Sequence, residues 1–220
     1  MSFSWDRFTR FVQLNSADIW RYAVEHVEIV LAALAIALVL GVAIAVVTYR
    51  TRLGAQLAVT GAGVILTIPS FALLGLLIPP FGLGTTPVLI ALVLYSLLPI
   101  VRNTIVGLRG VDPQIVDGAR GCGMSTVQRL VRVELPLAWP VIVAGLRVAA
   151  QLAIGIAAIA AYVRGPGLGT LIFNGISSLG SFNAINQVIV GTLGVVVIAL
   201  AFDLAFVVLA KVTAPRGIRA

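Results

Sequence analysis

Residues 117–136 read DGARGCGMSTVQRLVRVELP. The stretch is polar, broken by glycines, and flanked on both sides by long apolar runs. It sits in a chain of 220 residues that is 60% hydrophobic and only 10% charged, with a mean hydropathy of +1.10. Soluble domains carry roughly a quarter of their residues as charges. So few charges cannot cover a water-soluble surface, and the composition is that of an integral membrane protein. The polar stretch is therefore a segment that such a protein presents to water.

Its local chemistry is that of two short helices. Asp112 and Pro113 suit the N-cap and first position of a helix running to about Cys122. Gly123 can adopt the left-handed conformation that ends it. Ser125 and Gln128 have the spacing of a capping box for a second helix. That helix is expected to stop or bend at Leu135-Pro136, because the residue before a proline is driven out of the helical region. Residues 112–136 thus read as a rigid two-helix protrusion, either a docking site for a soluble partner or an ordinary surface hairpin.

Outward from this segment, the apolar runs predict five transmembrane helices at about 20 residues per span. They are Ile29 to Tyr49, Leu57 to Ile78, Pro87 to Leu108, Leu137 to Val163 and Gln187 to Ala210. The 53–101 stretch is uncharged and too long for one span; Pro and Gly at 78–87 divide it. Residues 164–186 form a glycine-rich loop. Arg50, Arg52, the arginines of the polar stretch, and Lys211, Arg216 and Arg219 of the tail fall on one side of the membrane. The positive-inside rule makes that side cytoplasmic, with the N-terminus outside and the C-terminus inside. This pattern accounts for the net charge of +7 without a nucleic-acid partner. Residues 1–26 hold no apolar core of the signal-peptide kind. Trp5, Phe8, Phe11 and Val12 recur at helical spacing, then Ile19 and Trp20, with Ser16 as a cap; the segment reads as an interfacial amphipathic helix or as a loose tail.

Within the spans, Arg147 and Asp203 lie at matching depth. Charges in hydrocarbon face a partner or the bundle interior. The pair reads as a pin between helices four and five; a snorkelling Arg147 and a proton relay are the other readings. Arg102, near a helix end, reads as snorkelling. Ser70, Tyr95, Ser96 and Gln151 can face a pathway, Tyr95 offering a cation–π face, or be satisfied helix contacts. Pro69 and Pro99 are expected to kink helices two and three, lining a pathway or fitting irregular packing. Gly61, Gly63, Ala149, Ala153, Gly155 and Ala158 suit close helix approach. One cysteine, Cys122, and one histidine, His26, leave no disulfide framework and no protein-only metal cluster.

The spacing Asp117-Gly118-Ala119, three residues, Gly123, nine residues, then Val133-x-Leu135-Pro136 resembles the cytoplasmic loop of ABC-importer permeases. That loop reads Glu-Ala-Ala, three residues, Gly, nine residues, Ile-x-Leu-Pro. IPSFALLGLLIPPFGLG (68–84), YSLLPIVRNTIVGL (95–108), AGLRVAAQLAIGIAA (144–158) and GPGLGTLIFNGI (165–176) are similar to the branch that imports glycine betaine, choline and carnitine. The resemblance covers about residues 20 to 210. It implies a type I permease subunit in the bacterial inner membrane. Its partners would be a second permease, identical or paralogous, two ATP-binding cassette subunits and an extracellular binding protein. Asp117, Gly118, Ala119, Arg120, Gly123, Leu135 and Pro136 would couple to the ATPase, and residues 165–177 would dip into the membrane from outside.

The chain has no GxxxxGK[ST] phosphate loop, so no cofactor is expected on it, and ATP and Mg are expected on the partner ATPase. A membrane enzyme lacks its catalytic set here. The remaining alternatives are a permease for another small polar solute, such as an amino acid or sulfonate, and a scaffold or channel.

Overall fold

The computed structural model describes residues 4–213. Among these residues the regular structure is all helical. Helix α1 (Trp5–Leu14) leads into α2 (Ser16–Thr48), α3 (Arg52–Thr67), α4 (Ser70–Phe81) and α5 (Thr85–Arg109). The polar segment forms α6 (Pro113–Gly121) and α7 (Thr126–Arg129). A π turn (Leu130–Glu134) joins α7 to α8 (Leu135–Ile159), which ends in a 3-10 turn (Ala160–Val163). Helices α9 (Gly169–Ser177) and α10 (Ala184–Thr213) complete the described chain. Arg216 and Arg219 of the basic tail lie outside the described residues.

Helices α2, α5, α8 and α10 are each long and apolar enough to cross a bilayer, α8 counted with α7 and its flanking turns. The expected second span is divided: α3 and α4 meet at an angle of 93° and make a fifth crossing only as a pair. The cause is Ile68-Pro69. Ile68 precedes a proline and takes an extended conformation (φ −72°, ψ 127°), as steric conflict with the proline ring demands. Pro69 is therefore the N-cap of α4 rather than a kink inside a helix. Pro79 and Pro80, expected in a turn, are still helical, and the chain reverses at Gly82. Pro99 does lie inside α5, which continues through it.

The polar segment, the 49–51 turn and the end of α10 lie on one face, called here the loop face. The 82–84 turn, the 164–183 region and α1 lie on the opposite, glycine face. Helix α5 is the centre of the bundle, packed between α2 and α8. Val88, Ala91, Leu92 and Ile100 of α5, Val30, Ala33 and Ala37 of α2, and Ala149, Ala150, Ala153 and Ala157 of α8 are all buried. Alanine on α8 lets the backbones approach, which is how helices gain packing in a solvent as apolar as themselves. Gly61 and Gly155, by contrast, face open space, and Gly63 barely meets Leu98. Helices α5 and α8 approach tightly at Gly145, where a Cβ would stand 2.7 Å from the Pro99 carbonyl oxygen. Helix α10 is nearly bare: Leu193, Val197, Leu200 and Leu204 all point outward.

The N-terminal segment departs from expectation in its second half. Residues 16–26 belong to α2, whose 33 residues span about 50 Å at 1.5 Å each. Asn15, not Ser16, occupies the cap position. Helix α1 is amphipathic, with Phe11 buried in the main core and Phe8 and Val12 packed against it.

The break at Ile68 leaves a carbonyl without a helical partner. Tyr95 of α5 supplies one, its hydroxyl donating to the Ile68 oxygen at 2.6 Å. Tyr95→Phe removes that donor. The variant is expected to lose about 1–3 kcal/mol, read as a lower thermal unfolding midpoint in detergent; an unchanged midpoint would show that the broken helix does not depend on this bond.

Candidate functional site

The polar loop is built by local signals that all act. The Asp112 carboxylate accepts the Gln114 amide at 2.8 Å, and Pro113 follows at the first turn. Helix α6 ends in a Schellman arrangement: Gly123 N–H donates to Arg120 O at 3.0 Å and Met124 N–H to Ala119 O at 3.2 Å. Gly123 stands at φ +80°. Its Cβ position is open, so the backbone angle alone asks for glycine. Ser125 and Gln128 close a reciprocal capping box. Asp117, Gly118, Arg120 and Gly123 are exposed, Ala119 half-buried. The loop is a stiff elbow held away from the bundle.

The second arm does not stop at Pro136. It passes through the π turn into α8 as one continuous helical rod, Thr126–Val163. Pro136 has no N–H to give to the preceding turn. The wider π turn precedes it, with Leu135 N–H reaching Leu130 O, so the register changes where a bond would otherwise be missing. Leu135 is half-buried and Pro136 exposed. In place of the expected stop or bend there is a continuous helical splice between the loop and a membrane helix.

The π turn also carries Glu134, a buried carboxylate. It accepts the Tyr49 hydroxyl at 2.5 Å and lies 3.7 Å from the Arg50 guanidinium. Arg50 Nε donates to the Tyr49 oxygen at 2.8 Å. Arg109, at the end of α5, donates to the backbone oxygens of Tyr49 (2.7 Å) and Thr51 (2.9 Å). Burial, and then the Glu134 carboxylate, push the Tyr49 phenol above its usual range, against the pull of Arg50. Tyr49 therefore remains a donor at neutral pH. The knot joins the α2–α3 turn, the end of α5 and the start of α8. A cavity of about 400 Å³ separates it from α6, lined by Val116, Asp117 and Arg129 among others. Sequence reading passed over Tyr49 and Glu134; the signal was a carboxylate set directly before Leu-Pro at the mouth of an apolar run.

The two intramembrane charges meet. Arg147 donates from Nε and Nη2 to the two Asp203 oxygens at 2.6 and 2.7 Å, a bidentate pair. Gln151 Nε2 donates to Asp203 Oδ1 at 2.9 Å. Arg147 and Gln151 line a cavity of about 590 Å³ between α8 and α10. The other pathway candidates do not join them. Tyr95 is buried with its hydroxyl on Ile68, Ser96 is buried, and Ser70 begins α4. Arg102 is exposed near the loop-face end of α5.

On the glycine face, Leu168 and Leu171 enter the main apolar core, so residues 165–171 fold inward rather than capping the surface. His26 is fully buried there, its Nε2 3.2 Å from Ile154 O. Gly167 (φ +113°) lies against it; a Cβ would come within 2.8 Å of Nδ1. The sequence marked His26 only as a lone histidine at the start of an apolar run.

With this geometry in place, the comparisons are decisive. Residues 30–215 match the family described as the binding-protein-dependent transport system inner membrane component. The chain belongs to this family. As such it is a multi-pass inner-membrane permease subunit of an ABC importer, a class that works with an ATPase, a substrate-binding protein and a second permease. Similar relatives include the choline transport system permease protein OpuBB of Bacillus subtilis, 35% identical over 96% of this chain and 95% of that one. The osmoprotectant import permease protein OsmW of Salmonella typhimurium is 41% identical over 89% and 91%. The carnitine transport permease protein OpuCB of Listeria monocytogenes is 35% identical over 97% and 96%. In fold, the permease resembles the inward-facing MetNI methionine ABC transporter, with TM-score 0.76 at 21% identity over 90% of this chain and 96% of that one.

In this permease, Glu134→Ala strips the Tyr49 hydroxyl of its buried acceptor. Amides of residues 126–134 are expected to exchange hydrogen faster, with a stability loss of about 1–3 kcal/mol. Exchange indistinguishable from wild type in that window would mean the knot does not hold the loop.

Proposed function

We propose that this permease imports quaternary-amine osmoprotectants, of the glycine betaine, carnitine and choline kind. The observation that supports the reading most is the 32–41% identity over nearly the whole chain to permeases named for choline, carnitine, glycine betaine or, more broadly, osmoprotectants. The complex would hold two permeases, identical or paralogous, and two ATPase subunits, with a binding protein delivering solute on the outer side. The loop face is cytoplasmic in this reading: Arg50, Arg52, Arg109, the arginines of 120–132 and Lys211 all cluster there. The N-terminus is then outside and the C-terminus inside.

Asp117, Gly118, Ala119, Arg120 and Gly123 form the exposed elbow that docks on the ATPase, which carries ATP and Mg. Leu135 and Pro136 mark where docking becomes membrane motion. The splice supports this role, because α7, the π turn and α8 are continuous, and a displaced elbow would carry α8 as a rigid body. The knot at Glu134 would move α2 and α5 with it. ATP closure would thereby alternate the access of a pathway beside α8 and α10.

The experiment is uptake into proteoliposomes holding the full complex. ATP-dependent uptake of glycine betaine or choline is expected. Asp117→Arg is expected to cut it on the order of tenfold or more by placing the wrong charge in the docking contact, with the ATPase no longer co-purifying on the tagged permease. Uptake of neither solute by the wild-type complex overturns the substrate; full uptake by the variant overturns the docking role.

A further inference from the structure

The Arg147–Asp203 pair is exposed for a charge pair at its depth. The two side chains are 41% and 30% accessible, while Ala149, Ala150 and Ala153 on the inner side of the same helix are fully buried. Charges in the hydrocarbon region do not face lipid. The face they occupy therefore looks into the assembly, onto protein or onto a water-filled path. The 590 Å³ cavity beside them is of the size that holds small ligands. Its lining runs from Gln151 and Arg147 past Phe206 to Pro140 and Lys211 near the loop-face ends of α8 and α10. Phe206 follows Asp203 by three residues, one helical turn along α10, and pairs with Phe202 at 6.4 Å.

We propose that this cavity is a transient binding site for a zwitterion bearing a quaternary ammonium and a carboxylate, in which the solute replaces the internal ion pair. The proposal rests on the substrate reading above. With no solute, Arg147 and Asp203 neutralise each other. With solute, the carboxylate takes the guanidinium fork and the ammonium sits between Asp203 and the Phe206 ring. The exchange swaps one neutral pair for another, so no net charge enters the membrane interior.

Gln151 has a defined part in this. A quaternary ammonium has no N–H to donate, so when the guanidinium leaves, the Asp203 carboxylate would lose both of the hydrogen bonds that Arg147 gives it. The Gln151 amide, already 2.9 Å from Oδ1, stays. Lys211, at the far end of the cavity, offers the carboxylate its next cation on the way out. A cation without a carboxylate, such as choline, would reach Asp203 only by leaving Arg147 unpaired, which is costly away from water. The site thus sorts betaines from simple quaternary amines.

The test uses the full complex in proteoliposomes at saturating binding protein, with glycine betaine and choline as probes and uptake counted per assembled complex. Arg147→Gln is expected to lower betaine uptake on the order of tenfold while choline uptake holds or rises, because Asp203 is left free for the ammonium. Loss of both cargoes together, or of neither, overturns the site and leaves a structural pin. Should Arg147→Gln fail to assemble, Phe206→Leu keeps the ion pair and is expected to cut uptake of betaine severalfold; unchanged uptake overturns the site. A wild-type complex that imports neither probe fails the substrate reading first, and the site with it.

Discussion

A polar group inside hydrocarbon must find its partner within the protein. The Ile68 carbonyl, freed by the proline after it, finds the Tyr95 hydroxyl. The Asp203 carboxylate finds Arg147 and Gln151. At the loop-face mouth of the bundle, buried Glu134 finds Tyr49 and Arg50. Each is a contact between segments far apart in sequence, and each fixes where one helix stands against another. The apolar packing between them is close, as at Gly145 and Gly41, but non-directional. The polar contacts give the bundle its register.

The same constraint connects fold and mechanism. The rod Thr126–Val163 is continuous because the π turn changes register just ahead of Pro136. A flexible joint there would absorb displacement of the elbow; a helical splice transmits it. Glu134 sits within that splice and is tied to the α2–α3 turn, while Arg109 ties the end of α5 to the same turn. The elbow, α8, α2 and α5 therefore share one stiff junction. On the opposite face Gly167 lies against buried His26, so the glycine-rich region is anchored to α2 as well.

Helix α10 stands apart. It is among the most apolar segments and the least buried of the long helices; its acidic residue, Asp203, is directed at α8, and Lys211 lies in its last turn. An apolar helix with one anchored carboxylate and a bare outer surface is suited to a boundary with another part of the assembly. The exposed ion pair lies along the same boundary.

Much was legible in the sequence because it is local. Composition fixed the membrane class; the cap at Asp112, the left-handed elbow at Gly123 and the capping box at Ser125 and Gln128 all form as their spacing requires, since each involves residues within one turn. The spacing of the loop carried the family. Of the contacts across the bundle, the Arg147–Asp203 pair was legible, because two charges at matching depth in an apolar medium seek each other; the others were not. Pro69 announced a disturbance, but whether it kinks or breaks a helix depended on a hydroxyl 27 residues away to satisfy the exposed carbonyl. Pro136 looked like a stop, and the π turn made it a splice. Tyr95 could have faced a solute or a neighbouring helix, and its hydroxyl is spent on Ile68, while Glu134 and His26 had no visible role until the elements facing them were in place. The sequence by itself determined which segments are apolar and where the elbow at Gly123 falls, because hydrophobicity and backbone sterics act over a few residues. Beyond the Arg147–Asp203 pair, the tertiary structure decided which polar groups pair, because in an apolar medium that choice depends on which donors and acceptors the packed helices bring within hydrogen-bond distance.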